Sequence, residues 1–299
     1  MTKGTLSLRG VFPPLTTPFR TNGDVDYDAV VENVIKYQEF DLAGYVVLGS
    51  NGEGVYLTEE EKLRVLKAVR QTMTPDRVLV AGTGCESTRA TIDLTRKAAD
   101  VGADAVLVVT PNYYDTTMTP EAMIRFFSDV ADASPIPVAV YNVPQNTHVD
   151  LAPATITRAG EHPNIIGTKD STGNVTKLAE LVRLAPPGFQ TLVGTANAFL
   201  SGLLLGVVGG VLALANMAPQ ECIDMQRLFE AGRLDEAAEL QRRMVPVNTA
   251  VTGRFGIAGL KAAMDMVGFR GGAVRAPLMD LGEADRETLR QILVEGGLL

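Results

Sequence analysis

The 299-residue sequence holds two cysteines, two histidines and no tryptophan, and each scarcity removes a class of answer. Cys85 and Cys222 cannot build a disulfide framework, which reads as a reduced, intracellular chain. With His148 and His162 alone, a multi-histidine metal site is excluded, and a Ser-His-Asp triad has few places to find its base. No apolar run approaches the roughly 20 residues that span a bilayer, so no membrane partner is expected. Basic residues are also short, 27 Lys and Arg against 35 Asp and Glu, for a net charge of −8. An acidic surface repels phosphate backbones and argues against nucleic acid as a partner. Too little chain precedes the first apolar run for a targeting peptide, so a cytoplasmic location is expected.

What is present is alternation. Eight short apolar, β-branched runs fall at 9–15, 43–49, 77–84, 103–110, 137–141, 165–169, 189–194 and 210–215. Each is nearly continuous in its apolar character, as a parallel strand buried on both faces should be. Helical patterns lie between them. Thr58-Glu59-Glu60-Glu61 is a capping box, after which Leu63, Leu66, Val69 and Met73 share one helical face. Similar helices are expected near 87–99, 120–133, 174–185 and 196–205. Eight parallel strands with intervening helices predict an α/β fold, the (β/α)8 TIM barrel. A doubly wound sheet would carry a Gly-rich loop after its first strand. That turn is Pro13-Pro14-Leu15-Thr16-Thr17-Pro18, with no glycine. After Asn216 only helical patterns follow, at 218–231, 235–252, 255–267 and 283–295. The expected division is a catalytic barrel of residues 1–232 and a small helical C-terminal appendage of residues 233–299.

In such barrels reactive residues stand at the C-terminal ends of strands. Lys169 ends the run Ile165-Ile166-Gly167-Thr168. Burial disfavours the ammonium form of a lysine, and the neutral amine is the nucleophile that forms a Schiff base with a ketone. The plainer reading pairs Lys169 with Asp170 or lets it snorkel to solvent. Tyr141 ends the fifth run, as a core aromatic with a satisfied hydroxyl or as a proton carrier. The Gly49-Ser50-Asn51-Gly52-Glu53-Gly54 turn reads as a tight loop or as an anion cradle built from backbone N–H groups, Ser50 and Asn51. Tyr113 and Tyr114 read as packing or interface residues, and Cys85, with no histidine nearby, as packing.

Together these segments resemble the pyruvate-dependent class I aldolase family that includes dihydrodipicolinate synthase and N-acetylneuraminate lyase. The carriers are Gly49-Ser50-Asn51-Gly52-Glu53, Val109-Thr110-Pro111-Asn112-Tyr113-Tyr114, Tyr141-Asn142-Val143-Pro144 and Gly167-Thr168-Lys169-Asp170-Ser171, in order over nearly the whole chain. The resemblance implies that Lys169 forms an imine with the pyruvate ketone and that Tyr141 shuttles protons. It implies a relay through Ser50 and a Tyr113 reaching across a dimer interface. Ser50 and Asn51 would hold the pyruvate carboxylate, and backbone near Gly194 and Val211 would line the pocket. It further implies a homotetramer built as a dimer of dimers, a small 2-oxo acid as substrate, and no cofactor or metal, because the imine is itself the electron sink.

The sequence departs from the synthase branch at Asn146, where an arginine ordinarily binds the aldehyde's carboxylate, at Asp170-Ser171-Thr172, and at Ser50-Asn51 in place of paired threonines. An arginine is not conservatively replaced in carboxylate recognition. The departures resemble the 4-hydroxy-2-oxoglutarate aldolase branch, together with Gly84-Cys85-Glu86-Ser87-Thr88, Ser134-Pro135-Ile136-Pro137-Val138, His162-Pro163-Asn164-Ile165 and Arg254-Phe255-Gly256-Ile257. That branch implies retro-aldol cleavage of 4-hydroxy-2-oxoglutarate to pyruvate and glyoxylate, with Ser171 and Asn51 as candidates for the distal carboxylate. The alternatives are an aldolase for 3-deoxy-hexulosonate-type sugar acids, served by Thr147, Thr172 and Thr195, or a related dehydratase. A non-catalytic barrel serving as a sensor would be expected to lack Lys169 or its relay.

Overall fold

In the computed structural model, which describes residues 6–299, eight strands stand side by side and parallel. They are β1 (Gly10–Phe12), β2 (Gly44–Val47), β3 (Val78–Gly82), β4 (Ala105–Val109), β5 (Val138–Asn142), β6 (Ile165–Asp170), β7 (Gln190–Val193) and β8 (Gly209–Val211). The ladder runs from β2 through β8 to β1 in sequence order. A parallel bridge between Pro14 and Val46, with the Val46 N–H donating to the Pro13 carbonyl, brings β1 back beside β2 and closes the barrel. The eight strands fall inside the runs read from the sequence, within a residue at their ends.

Strand pleat sorts the side chains into two cores. Phe12, Val46, Val80, Leu107, Ala139 and Leu192 fill the interior. Tyr45, Val47, Leu79, Val106, Val138 and Val140 face outward onto the helices. The Thr58 capping box is formed, and the Glu59–Thr72 helix that it starts buries Val65, Leu66 and Val69. Three helices lie outside the segments read as helical: Tyr27–Tyr37, Pro144–Thr147 and Pro153–Ala159. The first is capped by the Asp26 carboxylate, which accepts the Ala29 N–H, and buries Ala29, Val30, Val34 and Tyr37 at helical spacing. The last strand is shorter than read, because residues Ala213–Asn216 turn into a 3-10 helix.

The C-terminal region packs back over the barrel mouth through two ion pairs, one from a helix and one from the loop that follows it. Lys261, on the Gly256–Met266 helix, is 1% exposed and pairs with the equally buried Glu53. Its remaining donors reach the Thr17 and Ala273 carbonyls at 2.7 Å, so all three ammonium hydrogens are used. Arg275 forks onto Glu61 at 2.7 Å through both terminal nitrogens and donates as well to the Gly23 and Tyr56 carbonyls. That hydrogen-bonded guanidinium holds the Glu61 carboxyl at about 2, against an ordinary 4.5. A depressed carboxyl stabilises the fold fully above its ordinary value, and the contribution is lost as pH falls through 2. Arg275→Ala is therefore expected to cost on the order of 2 kcal/mol at pH 7. Urea unfolding of the parent and the variant should show the difference shrinking between about pH 4.5 and 2.

Candidate active site

The barrel interior opens at the C-terminal ends of the strands into a cavity of about 740 Å³. Lys169 stands at its floor. In the ladder it is level with Tyr141 of β5 and Leu192 of β7, so the pleat turns it inward with them. It is 3% exposed, and its Nζ lies 4.1 Å from the centre of the Tyr141 ring. Among the described residues it is the sole charged side chain lining this cavity, and it forms no ion pair. The reading that paired Lys169 with Asp170 is thereby corrected. Neighbouring strand residues face opposite sides, and Asp170 points into the helix layer toward Asn142 and Lys177.

Tyr141 is buried beneath the same opening and shares a hydrogen bond of 3.3 Å with Ser50. Burial alone pushes its phenol up. The Lys169 charge and the Ser50 hydrogen bond, with smaller contributions from the nearby Lys169 and Ser171 side chains, outweigh that, and the phenol is held below its ordinary 10.0. Ser50 and Asn51 begin a short 3-10 turn whose approach is set by Leu48, a non-glycine residue at φ 67. Its carbonyl is wedged against Gly54 and Gly82, where a Cβ would lie 2.3 and 2.6 Å from the oxygen. Those two glycines are thus required by close approach, and the backbone strain at Leu48 is the kind that recurs at working sites. Glu53, in left-handed conformation at φ 51, anchors the end of the turn through Lys261. Nothing in the local sequence signals that anchor, because the two residues lie on distant elements.

Ser171 and Gly194 also line the cavity, and the Ser171 hydroxyl is buried without a hydrogen-bond partner. A Cβ at position 194 would lie 1.9 Å from that Oγ, so the glycine makes room for the hydroxyl to reach the opening. Val211 is elsewhere: it is buried in the barrel interior below the cavity, which Ala213 lines instead. Tyr113 is not brought to Lys169 within the chain. It is 76% exposed, edge-on to Tyr114, and lines neither this cavity nor the neighbouring one. That second cavity, about 420 Å³, shares Ser50, Tyr141, Val143 and Asn146 with the first and takes in Thr147. Cys85 is half-buried, its thiol pushed up by burial. Residues that the sequence reading did not single out complete the larger cavity's wall: Gln145, Asn197, and the π-helical turn Ala250–Arg254 through Val251, Thr252 and Gly253.

A buried, unpaired lysine beside a phenol and a chain of hydroxyls is the equipment of carbonyl chemistry through an imine. Comparison with known proteins gives the family. The model of the dihydrodipicolinate synthetase family matches residues 7–295. The chain belongs to that family. It is 35% identical over 288 residues to a 4-hydroxy-tetrahydrodipicolinate synthase of Methanothrix thermoacetophila, covering 96% of each chain. It is also 35% identical over 292 residues to a probable mitochondrial 4-hydroxy-2-oxoglutarate aldolase of Emericella nidulans, covering 96% of this chain and 94% of that protein. The crystal structure of the chloride-inhibited dihydrodipicolinate synthase of Acinetobacter baumannii complexed with pyruvate superposes with a TM-score of 0.93. It is 31% identical, with 98% of this chain and 100% of that chain covered. This member of the dihydrodipicolinate synthetase family is an enzyme of the lyase and aldolase class.

The phenol's environment gives a direct test. An ultraviolet difference titration of the parent against Tyr141→Phe should reveal one tyrosinate forming below pH 10, because the charge of Lys169 favours it. In Lys169→Ala the same tyrosine should titrate at higher pH than in the parent. An unchanged titration in that variant would break the proposed coupling.

Proposed function

We propose that the protein is a Schiff-base pyruvate aldolase that cleaves 4-hydroxy-2-oxoglutarate to pyruvate and glyoxylate. The observation that carries the reading is Lys169, buried and unpaired at the floor of a cavity whose other described lining residues are uncharged. Its neutral amine adds to the C2 ketone. Tyr141, hydrogen-bonded to Ser50, supplies the proton with which water leaves the carbinolamine. The protonated imine draws in the electron pair as the C3–C4 bond breaks and the 4-hydroxyl loses its proton, releasing glyoxylate. The resulting enamine takes a proton at C3, and water then frees pyruvate from Lys169. Ser50 and Asn51 hold the carboxylate next to the ketone, with Gly194 admitting the Ser171 hydroxyl to the distal end. The division into a catalytic barrel of residues 1–232 and an appendage of residues 233–299 belongs to the same reading.

Two observations bear on the acceptor. Asn146 lines the cavity where the synthase pattern has arginine, and no arginine lines it among the described residues, which weighs against dihydrodipicolinate synthesis. The wall is instead rich in neutral donors and acceptors, Gln145, Asn146, Thr172, Thr195 and Asn197. That wall favours a second reading, an aldolase for 3-deoxy-hexulosonate-type sugar acids with hydroxyls to satisfy.

Pyruvate release coupled to lactate dehydrogenase separates the readings. Release from 4-hydroxy-2-oxoglutarate is expected, and Lys169→Ala should lower it by at least about 10³-fold. Release from a 3-deoxy-hexulosonate alone would move the assignment to the second reading. Tyr113 is proposed to serve a neighbouring copy within a homotetramer. Mixing Lys169→Ala with Tyr113→Phe subunits should then recover activity that neither variant has alone, and a mixture no more active than its components would refute the exchange.

A further inference from the structure

The rung of the β5–β6 ladder that follows Tyr141 and Lys169 pairs Asn142 with Asp170 and faces the opposite way. Both residues are fully buried. The Asn142 amide donates to Asp170 Oδ2 at 2.8 Å and to Asp150 Oδ1 at 2.9 Å, and its oxygen accepts the Leu151 N–H at 2.9 Å. Lys177, from the Val175–Leu184 helix, pairs with Asp150 and lies 3.4 Å from Asp170 Oδ2. The other Asp170 oxygen accepts the Thr172 N–H at 3.0 Å and the Thr172 hydroxyl. That turn reverses the chain just past Lys169. Beside it the Ser171 N–H donates to the Asn142 carbonyl and the Gly194 N–H to the Asp170 carbonyl.

None of Asn142, Asp150, Asp170 or Lys177 lines the cavity, so this charge network serves no ligand directly. Buried charges are costly, and replacing such a network by apolar residues is often neutral for stability. Its position offers a different role. Asn142 and Asp170 each directly adjoin a residue that lines the site, and Asp150 and Lys177 hold those two from one contact further back.

We propose that Asp170, held by Asn142 and Lys177, is a positioning residue that locks the Tyr141–Lys169 rung and aims the Ser171 hydroxyl. The inference rests on the imine reading of Lys169. Misplacing a reacting group by an ångström costs as much as about 100-fold in rate, so fixing this rung from behind repays burying the charge.

Two measurements test it without knowledge of the aldehyde. Borohydride trapping with pyruvate counts the imine sites, and exchange of the pyruvate methyl protons with heavy water reports proton transfer at C3. Asp170→Asn, which keeps the shape and removes the charge, should still be trapped but should exchange at least about tenfold more slowly per trapped site. Lys177→Met should behave alike, while Lys177→Arg should return to within about threefold of the parent. A merely structural role would lower the melting temperature and the number of trapped sites but leave exchange per trapped site unchanged, which overturns the proposal. Should Asp170→Asn not fold, Lys177→Met, which lies outside the cavity, carries the test alone and is read in the same way. A parent protein that pyruvate and borohydride fail to trap would sink the aldolase reading itself, and the positioning role with it.

Discussion

Parallel pairing of β5 with β6 sets Tyr141 level with Lys169 and, one residue later, Asn142 level with Asp170. Because side chains alternate across a strand, that register divides the chemistry of four adjacent residues between two compartments. The amine and phenol enter the barrel, where the described lining of the cavity is uncharged apart from Lys169. The amide and carboxylate enter the helix layer, where Lys177 and Asp150 satisfy them. A slip of one residue would place the carboxylate in the cavity and leave the lysine against the helices. The ladder also shifts by a residue between Val138 and Ala139 at the start of β5, and pairs without interruption from there to Asn142 and Asp170.

The turn after β2 depends on a second constraint, the Lys261–Glu53 pair. Burying two charges is repaid only where geometry is good and every donor is used. Lys261 meets that condition by spending its hydrogens on Glu53 and on two carbonyls from separate loops. Burial still pushes the Lys261 ammonium down from its ordinary value, against the pull of the Glu53 charge. The pair therefore specifies where the C-terminal helix meets the barrel mouth, and it fastens Glu53 directly behind Ser50 and Asn51. The appendage is in this sense part of the site's scaffold.

The eight strands were legible because a strand buried on both faces writes an unbroken apolar run, and the capping box of the Glu59–Thr72 helix because its two partners are three residues apart. The Tyr27–Tyr37 helix was less so, since its cap is a lone aspartate and its buried face includes a polar Asn33. At the site, strand ends marked Lys169 and Tyr141 as candidates, with a plainer reading open for each, and the family resemblance supplied their proposed roles. The role of Asp170 could not: adjacency in sequence suggests an ion pair with Lys169, whereas the pleat forbids it. Glu53 with Lys261 was beyond reach for another reason, as a contact between distant elements leaves no local pattern. Val211 shows the converse. Its strand was found and its side chain does face inward, but it lies a layer below the cavity, a depth along the barrel that the alternation alone does not give.

Charge placement bears on how such a site selects its ligand. The chain carries a net charge of −8, which opposes the approach of any anion from a distance. Within the cavity the sign is reversed, because the described lining residues hold one cation and no carboxylate. At physiological salt the Debye length is about 8 Å, so the outer charges are largely screened while the field of a buried lysine is not. A small 2-oxo acid can therefore pass an acidic surface and still meet attraction where the ketone must lie. In the mechanism proposed above, the protonated imine restores a positive charge on the same nitrogen beside the bound carboxylate. The neutral amides and hydroxyls around it, Asn51, Gln145, Asn146 and Asn197, add hydrogen bonds without a competing charge. An arginine at position 146 would supply a second cation and draw a carboxylate away from the lysine. Its absence leaves Lys169 as the one charged side chain lining the described cavity, so the far end of a bound molecule is met by hydrogen bonds alone.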